Sequence, residues 1–62
     1  MYRVEAWDSE SCYWFTIEDY IESPLYADAE AKTSAKRTRR RVRVVEVDIN
    51  NPKSPPKVVN RY

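Results

Sequence analysis

The chain opens with Tyr2-Arg3-Val4-Glu5-Ala6-Trp7, then four polar residues, then Cys12-Tyr13-Trp14-Phe15-Thr16-Ile17-Glu18. Both segments alternate in character and are rich in aromatic and β-branched residues, a pattern typical of half-buried strands. The polar turn between them predicts a β-hairpin. The expected core face carries Tyr2, Val4, Ala6, Tyr13, Phe15 and Ile17. The opposite face then shows Arg3, Glu5, Trp7, Trp14 and Thr16.

Beyond the hairpin, the pattern predicts a loop over 19–24, a helix and a further strand. Asp28 is the expected N-cap of a helix over about 29–40. The apolar stripe of this helix is thin, with Ala31, Ala35 and the methyl group of Thr38 followed by Val42. Residues 41–49 read as a valine-rich strand whose apolar phase switches between residues 44 and 45. The switch predicts either a bulge or a strand that is partly covered on both faces.

The resulting order, β-β-α-β, predicts one α+β domain over 1–49. Its expected architecture is a three-stranded, antiparallel-type sheet with one helix on one face. Residues 50–62 contain Pro52, Pro55 and Pro56, and predict an extended or partly disordered tail. The end of that tail, residues 57–62, could add an edge strand.

Composition excludes several kinds of function. The 62 residues include no glycine, no histidine and one cysteine. A single thiol cannot form an internal disulfide or a structural zinc site, and a chain without glycine cannot form a Gly-rich phosphate-binding loop. We therefore expect no catalytic residues, no metal and no cofactor. The first residues lack the pattern of a secretory signal, and no apolar run is long enough to span a bilayer. A cytoplasmic protein that does not bind membranes is expected.

The net charge of +1 conceals a strong asymmetry between the two halves of the chain. Residues 1–30 carry a net charge of −7, and residues 31–62 carry +8. Such a division indicates an interaction surface rather than a property of the fold.

A basic run is the first candidate site, because seven of the twelve positions from 32 to 43 are Lys or Arg. It comprises Lys32, Lys36, Arg37, Arg39, Arg40, Arg41 and Arg43. Some of these bases would complement the dipole at a helix C-terminus, but seven exceed that need. The run therefore predicts contact with an anionic partner, either nucleic acid or an acidic protein groove.

The open face of the hairpin is the second candidate, because aromatic residues and arginine are typical interface anchors. The alternative for Trp7 and Trp14 is cross-strand packing that stabilises the hairpin. The complete predicted partner-binding set is Arg3, Trp7, Trp14, Lys36, Arg37, Arg39, Arg40, Arg41 and Arg43.

Two further groups are better explained without a site. Glu18, Asp19 and Glu22, with Asp8 and Glu10, match no calcium-loop spacing and fit solvated turns. Cys12 has no histidine to activate it as a nucleophile.

The segment Ser23-Pro24-Leu25-Tyr26-Ala27-Asp28, between an aromatic hairpin and a valine-rich strand, resembles small phage-encoded host-takeover proteins that inhibit bacterial RNA polymerase. The resemblance covers roughly residues 2–49, although the helix of that family is more apolar and acidic. It implies a compact inhibitor that docks on a host machine, in the cytoplasm of a bacterium.

The leading expectation is therefore a small non-enzymatic inhibitor or modulator of a host protein or nucleoprotein complex. The alternative is a nucleic-acid-binding accessory protein that contacts phosphates through residues 36–43. A homodimer would also bury the alanine stripe and the tryptophans.

Overall fold

The computed structural model describes all residues from 1 to 62. Its elements are β1 (Tyr2–Asp8), β2 (Tyr13–Ile21), α1 (Pro24–Thr38), β3 (Val42–Glu46) and β4 (Lys57–Arg61). They form an antiparallel sheet of order β2-β1-β3-β4, with α1 packed on one face. The prediction of an α+β chain is confirmed, but the sheet has four strands instead of three. The additional strand, β4, comes from the segment predicted as a tail.

The hairpin forms as the alternation predicts. Ala6 lies opposite Phe15 on the helix-covered face, and Trp7 lies opposite Trp14 on the other face. However, β2 continues to Ile21, through residues that were predicted to be a loop. Tyr20 takes a positive φ of 56°, and this irregularity allows Ile21 to point into the core, where it is buried.

The helix begins earlier than predicted. Its N-cap is Ser23, whose hydroxyl accepts a hydrogen bond from the Tyr26 amide at 3.3 Å, and Pro24 follows in the first turn. Asp28 is therefore inside the helix, and its predicted role as N-cap was wrong. Serine is a strong N-cap, and proline at the first helical position loses no helical hydrogen bond. The Ser-Pro pair thus nucleates the helix one turn before the aspartate.

The core is small and lies between α1 and the sheet. Its buried members are Val4, Ala6, Ile21, Ala27, Ala31, Val42 and Val44, flanked by Tyr2, Phe15, Ile17 and Ala35. The helix contributes only small side chains, as the thin stripe predicts, and Thr38 is exposed. Ser34 is also buried against the sheet, and its hydroxyl has no hydrogen-bond partner.

The phase switch in β3 reflects cover on both faces of the strand. The alternative prediction of a bulge in this strand was wrong, because β3 pairs with β1 without interruption and the register shift opposite Val44 and Val45 skips Val59 of β4. Val44 belongs to the core, whereas Val45 lies opposite Arg3 and Val58 and is also fully buried. The strand ends at Glu46 and not at Ile49.

Three non-glycine residues, Cys12, Tyr20 and Arg39, adopt a positive φ of 56°. They lie at the end of the hairpin turn, near the end of β2 and at the end of the helix. A chain without glycine must use other residues at such corners, although the conformation disfavours them. No helix is both long enough and apolar enough to cross a membrane.

Candidate partner-binding surface

Three consecutive arginines, Arg39 to Arg41, follow α1 directly and lie at one end of the sheet. Arg39 caps the helix in the left-handed conformation, and its amide donates to the Ala35 carbonyl at 2.9 Å. The Thr38 hydroxyl donates to the Ser34 carbonyl at 2.7 Å and accepts from the Arg40 amide at 3.3 Å. These bonds satisfy groups that a helix end leaves free. The position of the arginines is therefore fixed by the backbone.

Arg40 is committed to contacts within the molecule. Its guanidinium lies 3.6 Å from the Asp8 carboxylate and donates to the Trp7 carbonyl at 3.3 Å. It also lies over the Phe15 ring, 5.6 Å from the centroid. The pKa of Asp8 is lowered, chiefly by the hydrogen bond from the Ser11 hydroxyl, with desolvation opposing and the Glu10 amide and Arg40 assisting. Arg40 thus ties the helix end to β1.

Arg3 and Arg43 are held by a buried carboxylate. Glu5 is only 6% exposed, and its two oxygens accept from Arg43 at 2.7 Å and from Arg3 at 3.2 Å. Arg3 also contacts Asp19 at 3.5 Å. Glu5 occupies the centre of the open face because β1 has neighbours on both sides. The guanidinium groups of Arg3 and Arg43, which the sequence predicted as partner contacts, therefore neutralise an internal charge.

Both indoles lie on the same face and pack against one another. The Trp7 and Trp14 rings have centroids 5.3 Å apart and planes inclined at 59°. The Arg43 guanidinium lies over the Trp14 ring at 4.1 Å from the centroid, within the range of a cation–π contact. Both tryptophans are partly buried. Glu5, Arg43 and Trp14 thus form a chain of contacts that fixes the orientation of the indoles.

Five cations at this end of the molecule form no ion pair. Four of them, Lys36, Arg37, Arg39 and Arg41, belong to the predicted set and are exposed. Sequence reasoning missed the fifth, Arg61, because it assigned the tail no certain partner. Arg61 lies opposite Arg43 across β3 and β4. We call this set the arginine end: Lys36, Arg37, Arg39, Arg41 and Arg61.

Two hollows border the arginine end. The smaller, of about 270 Å³, lies among Trp14, Arg41, Arg61 and Tyr62. The larger is an open cleft of about 730 Å³ between the hairpin turn and the end of the helix. Asp8 and Glu10 line one wall of this cleft, the segment from Thr38 to Arg41 lines the other, and Trp7 also contributes. The cleft can therefore hold groups of both charges.

The acidic residues and Cys12 do not come together as a set of metal ligands. No three His, Cys, Asp or Glu side chains are placed to hold a metal ion together. Glu18 accepts a hydrogen bond from the Tyr26 hydroxyl at 3.4 Å, and this bond is the main reason that the pKa of Tyr26 is raised. The Cys12 sulfur is exposed and lies 3.5 Å from the Ser9 carbonyl oxygen.

No family model, curated protein or solved structure matches the chain.

Proposed function

We propose that the chain is a small, non-enzymatic binding protein that docks on a host protein or nucleoprotein machine and inhibits or modulates it. The observation that carries the proposal is the arginine end, where five cations form no ion pair and three of them, Arg39, Arg41 and Arg61, line hollows that Trp7 and Trp14 also line. Arginine and tryptophan are the residues most enriched at interface hot spots. The bacterial setting rests on the resemblance of residues 2–49 to phage host-takeover proteins.

The arrangement of charges favours a protein partner over a phosphate backbone. Asp8 and Glu10 line the same cleft as Arg39 and Arg41, so a polyanion that enters it would meet the free carboxylate of Glu10 as well as that of Asp8, which is paired with Arg40. A protein groove can offer both an acidic and a basic side chain to the same cleft. The fixed indoles add apolar area that needs little ordering on binding, because Arg43 and Trp7 already hold Trp14 in place.

The test is an affinity pull-down from a bacterial lysate, with and without nuclease, read by mass spectrometry. We expect one stoichiometric protein partner that survives nuclease treatment. The double variant Arg39→Glu/Arg41→Glu should retrieve at least about tenfold less of that partner, since two hot-spot contacts become repulsive. The matched control is Lys53→Glu/Lys57→Glu, which makes the same change of charge away from the arginine end and should retain the partner.

Retrieval of no stoichiometric protein, or equal retrieval by the two double variants, would contradict the proposal. Loss of the partner on nuclease treatment alone would point to nucleic acid as the primary ligand.

Binding to nucleic acid is the second candidate. The observation that favours it is a row of exposed bases along α1 and its C-terminal end. Lys32 and Lys36 lie one turn apart on the exposed side of the helix, and the unpaired Arg39 and Arg41 follow its last turn. Phosphate contacts release counterions, so the logarithm of the binding constant falls with the logarithm of salt by about 0.9 per contact on duplex DNA. The five cations of the arginine end predict a slope of up to about −4.5 in fluorescence anisotropy titrations. Absence of binding at low salt excludes this candidate.

A further inference from the structure

The second surface with unused binding capacity is the free edge of β2. The sheet order places β2 and β4 at the two edges. The β4 edge is only five residues long, carries Lys57 and Arg61, and follows Pro55 and Pro56. Short length, charge and proline are the features by which proteins protect an edge from pairing. In contrast, β2 is nine residues long and its first five residues, Tyr13 to Ile17, are uncharged.

The hydrogen bonds of Trp7 establish which backbone groups of β2 face outward. The Trp7 amide donates to the Arg41 carbonyl at 2.9 Å, and the Trp7 carbonyl accepts from Arg40. Both groups therefore point away from β2. Opposed residues in an antiparallel ladder alternate between exchanging two hydrogen bonds and exchanging none. Trp14, opposite Trp7, belongs to the second kind, so its amide and carbonyl face the free edge.

Thr16 is two residues further along β2 and lies opposite Glu5 in the same phase of the ladder. Its amide and carbonyl face the free edge as well. The regular window is bounded on one side by the register irregularity after Thr16 and on the other by the positive φ of Cys12. Four backbone groups, on Trp14 and Thr16, are thus presented to a fifth strand, with Phe15 at the centre.

We propose that a second copy of this chain occupies this edge, through antiparallel pairing of β2 with β2 about a two-fold axis at Phe15. In that register Trp14 of each copy lies opposite Thr16 of the other copy, and all four outward groups form hydrogen bonds. Phe15 lies opposite its own equivalent as a pair without backbone bonds, where side chains approach most closely. A two-fold interface requires self-complementary surfaces of this kind.

The charge pattern of β2 is compatible with this register. The opposed residues inside the regular window are Trp14 with Thr16 and Phe15 with its own equivalent, and none of them is charged, so no two acids face each other there. Tyr13, which is about half exposed, lies opposite Ile17 of the second copy. Arg39 and Arg41 follow the helix and lie outside the paired window, whereas Trp14 belongs to both surfaces. The inference does not rest on the proposed function, because the dimer needs only backbone groups of β2.

The native Cys12 provides a direct measurement, because it is the only cysteine and it is exposed. In the proposed register the two Cys12 α-carbons are six residues apart along the paired strands, which corresponds to roughly 20 Å at about 3.4 Å per residue. Spin labels on Cys12 should give a double electron–electron resonance distance near this value, increased by the arms of the labels. A distance twice as long would exclude the register.

Two substitutions at Thr16 isolate the backbone contribution. Thr16→Pro removes an outward amide and leaves the hydrogen bonds between β1 and β2 intact, so the dimer dissociation constant should rise at least about tenfold, from loss of two symmetric bonds. Thr16→Val keeps the amide and should dimerise normally. If the proline variant fails to fold by circular dichroism, methylation of the Thr16 amide in a synthetic chain removes the same donor.

Sedimentation velocity completes the test. A wild-type chain that remains monomeric at its highest soluble concentration overturns the proposal, as does a dimer that Thr16→Pro and the methylated chain leave unchanged. The charge-reversed variant Arg39→Glu/Arg41→Glu should dimerise normally, so failure of the edge pairing and failure of the partner interaction give different results.

Discussion

Neutralising Glu5 tests the ion-pair network of the open face. Glu5→Gln preserves the shape of the side chain and one acceptor oxygen, but removes the negative charge that Arg3 and Arg43 share at 3.2 and 2.7 Å. Removing one partner of a buried ion pair costs about 3–5 kcal/mol. The Arg3 and Arg43 side chains are 23% and 24% exposed, so solvent screens part of this loss. We expect the free energy of unfolding to fall by about 2 kcal/mol.

That loss is large for a chain of this size. Typical domains have about 0.05–0.15 kcal/mol of stability per residue, or about 3–9 kcal/mol here. A loss of about 1 kcal/mol lowers the Tm of a domain of 60–100 residues by about 4–8 °C. Glu5→Gln should therefore lower the Tm by roughly 8–16 °C in thermal unfolding followed by circular dichroism. Urea unfolding should show a lower midpoint with an unchanged m value.

A matched control separates the network from a general effect of charge. Glu10→Gln makes the same chemical change at an exposed residue outside any ion pair, and should alter stability by less than about 0.5 kcal/mol. Arg43→Met in the wild-type and Glu5→Gln backgrounds completes a double-mutant cycle with an expected coupling of at least about 1 kcal/mol. Equal stability of Glu5→Gln and Glu10→Gln, or additive effects in the cycle, would refute the argument.

Three further measurements test other parts of the structure. Ser34→Ala should raise the free energy of unfolding by about 1 kcal/mol, because Ser34 is 1% exposed and its buried hydroxyl has no partner. A lower urea midpoint would show that the hydroxyl is satisfied. Arg39→Gly should raise the free energy of unfolding by about 1 kcal/mol, since glycine adopts the left-handed cap without strain. The same variant should bind the partner more weakly. Unchanged affinity would show that Arg39 is not part of the binding surface. Partial desolvation, with Asp28 assisting, raises the pKa of Tyr62 to about 12 from 10.0 although the residue is 36% exposed. The stability that it contributes is complete below pH 10 and is lost as the pH rises towards 12. Tyr62→Phe should flatten that alkaline decline in stability, and an unchanged pH profile would contradict the assignment.

Local periodicity was sufficient to predict the hairpin, because the alternating faces of β1 and β2 are set by residues that are close in sequence. It failed at the start of the helix, where Ser23 and Asp28 compete as caps and only the proline at position 24 distinguishes them. Local periodicity could not predict β4 with certainty, since Lys57–Arg61 has few apolar residues. This segment is a strand because it pairs with β3.

The sequence predicted only those parts of the candidate surface that come from residues close together in the chain. The arginines at the end of α1 are adjacent in sequence, so their clustering followed directly from the chain. The pairing of Arg43 with Glu5 joins residues 38 positions apart and depends on the register of β1 against β3. Arg61 lies in the arginine end because the register of β3 against β4 places it opposite Arg43. Sequence alone therefore identified the cations but not which of them are neutralised.

The complete lack of glycine bears on how the proposed partner would be bound. Glycine is the residue that most readily lets a backbone swing between conformations, and the corners here are occupied by Cys12, Tyr20 and Arg39 instead. We expect recognition to proceed as rigid-body docking with no hinge movement. The heat-capacity change of binding should then match the apolar area of the interface alone, without the larger signature of coupled folding.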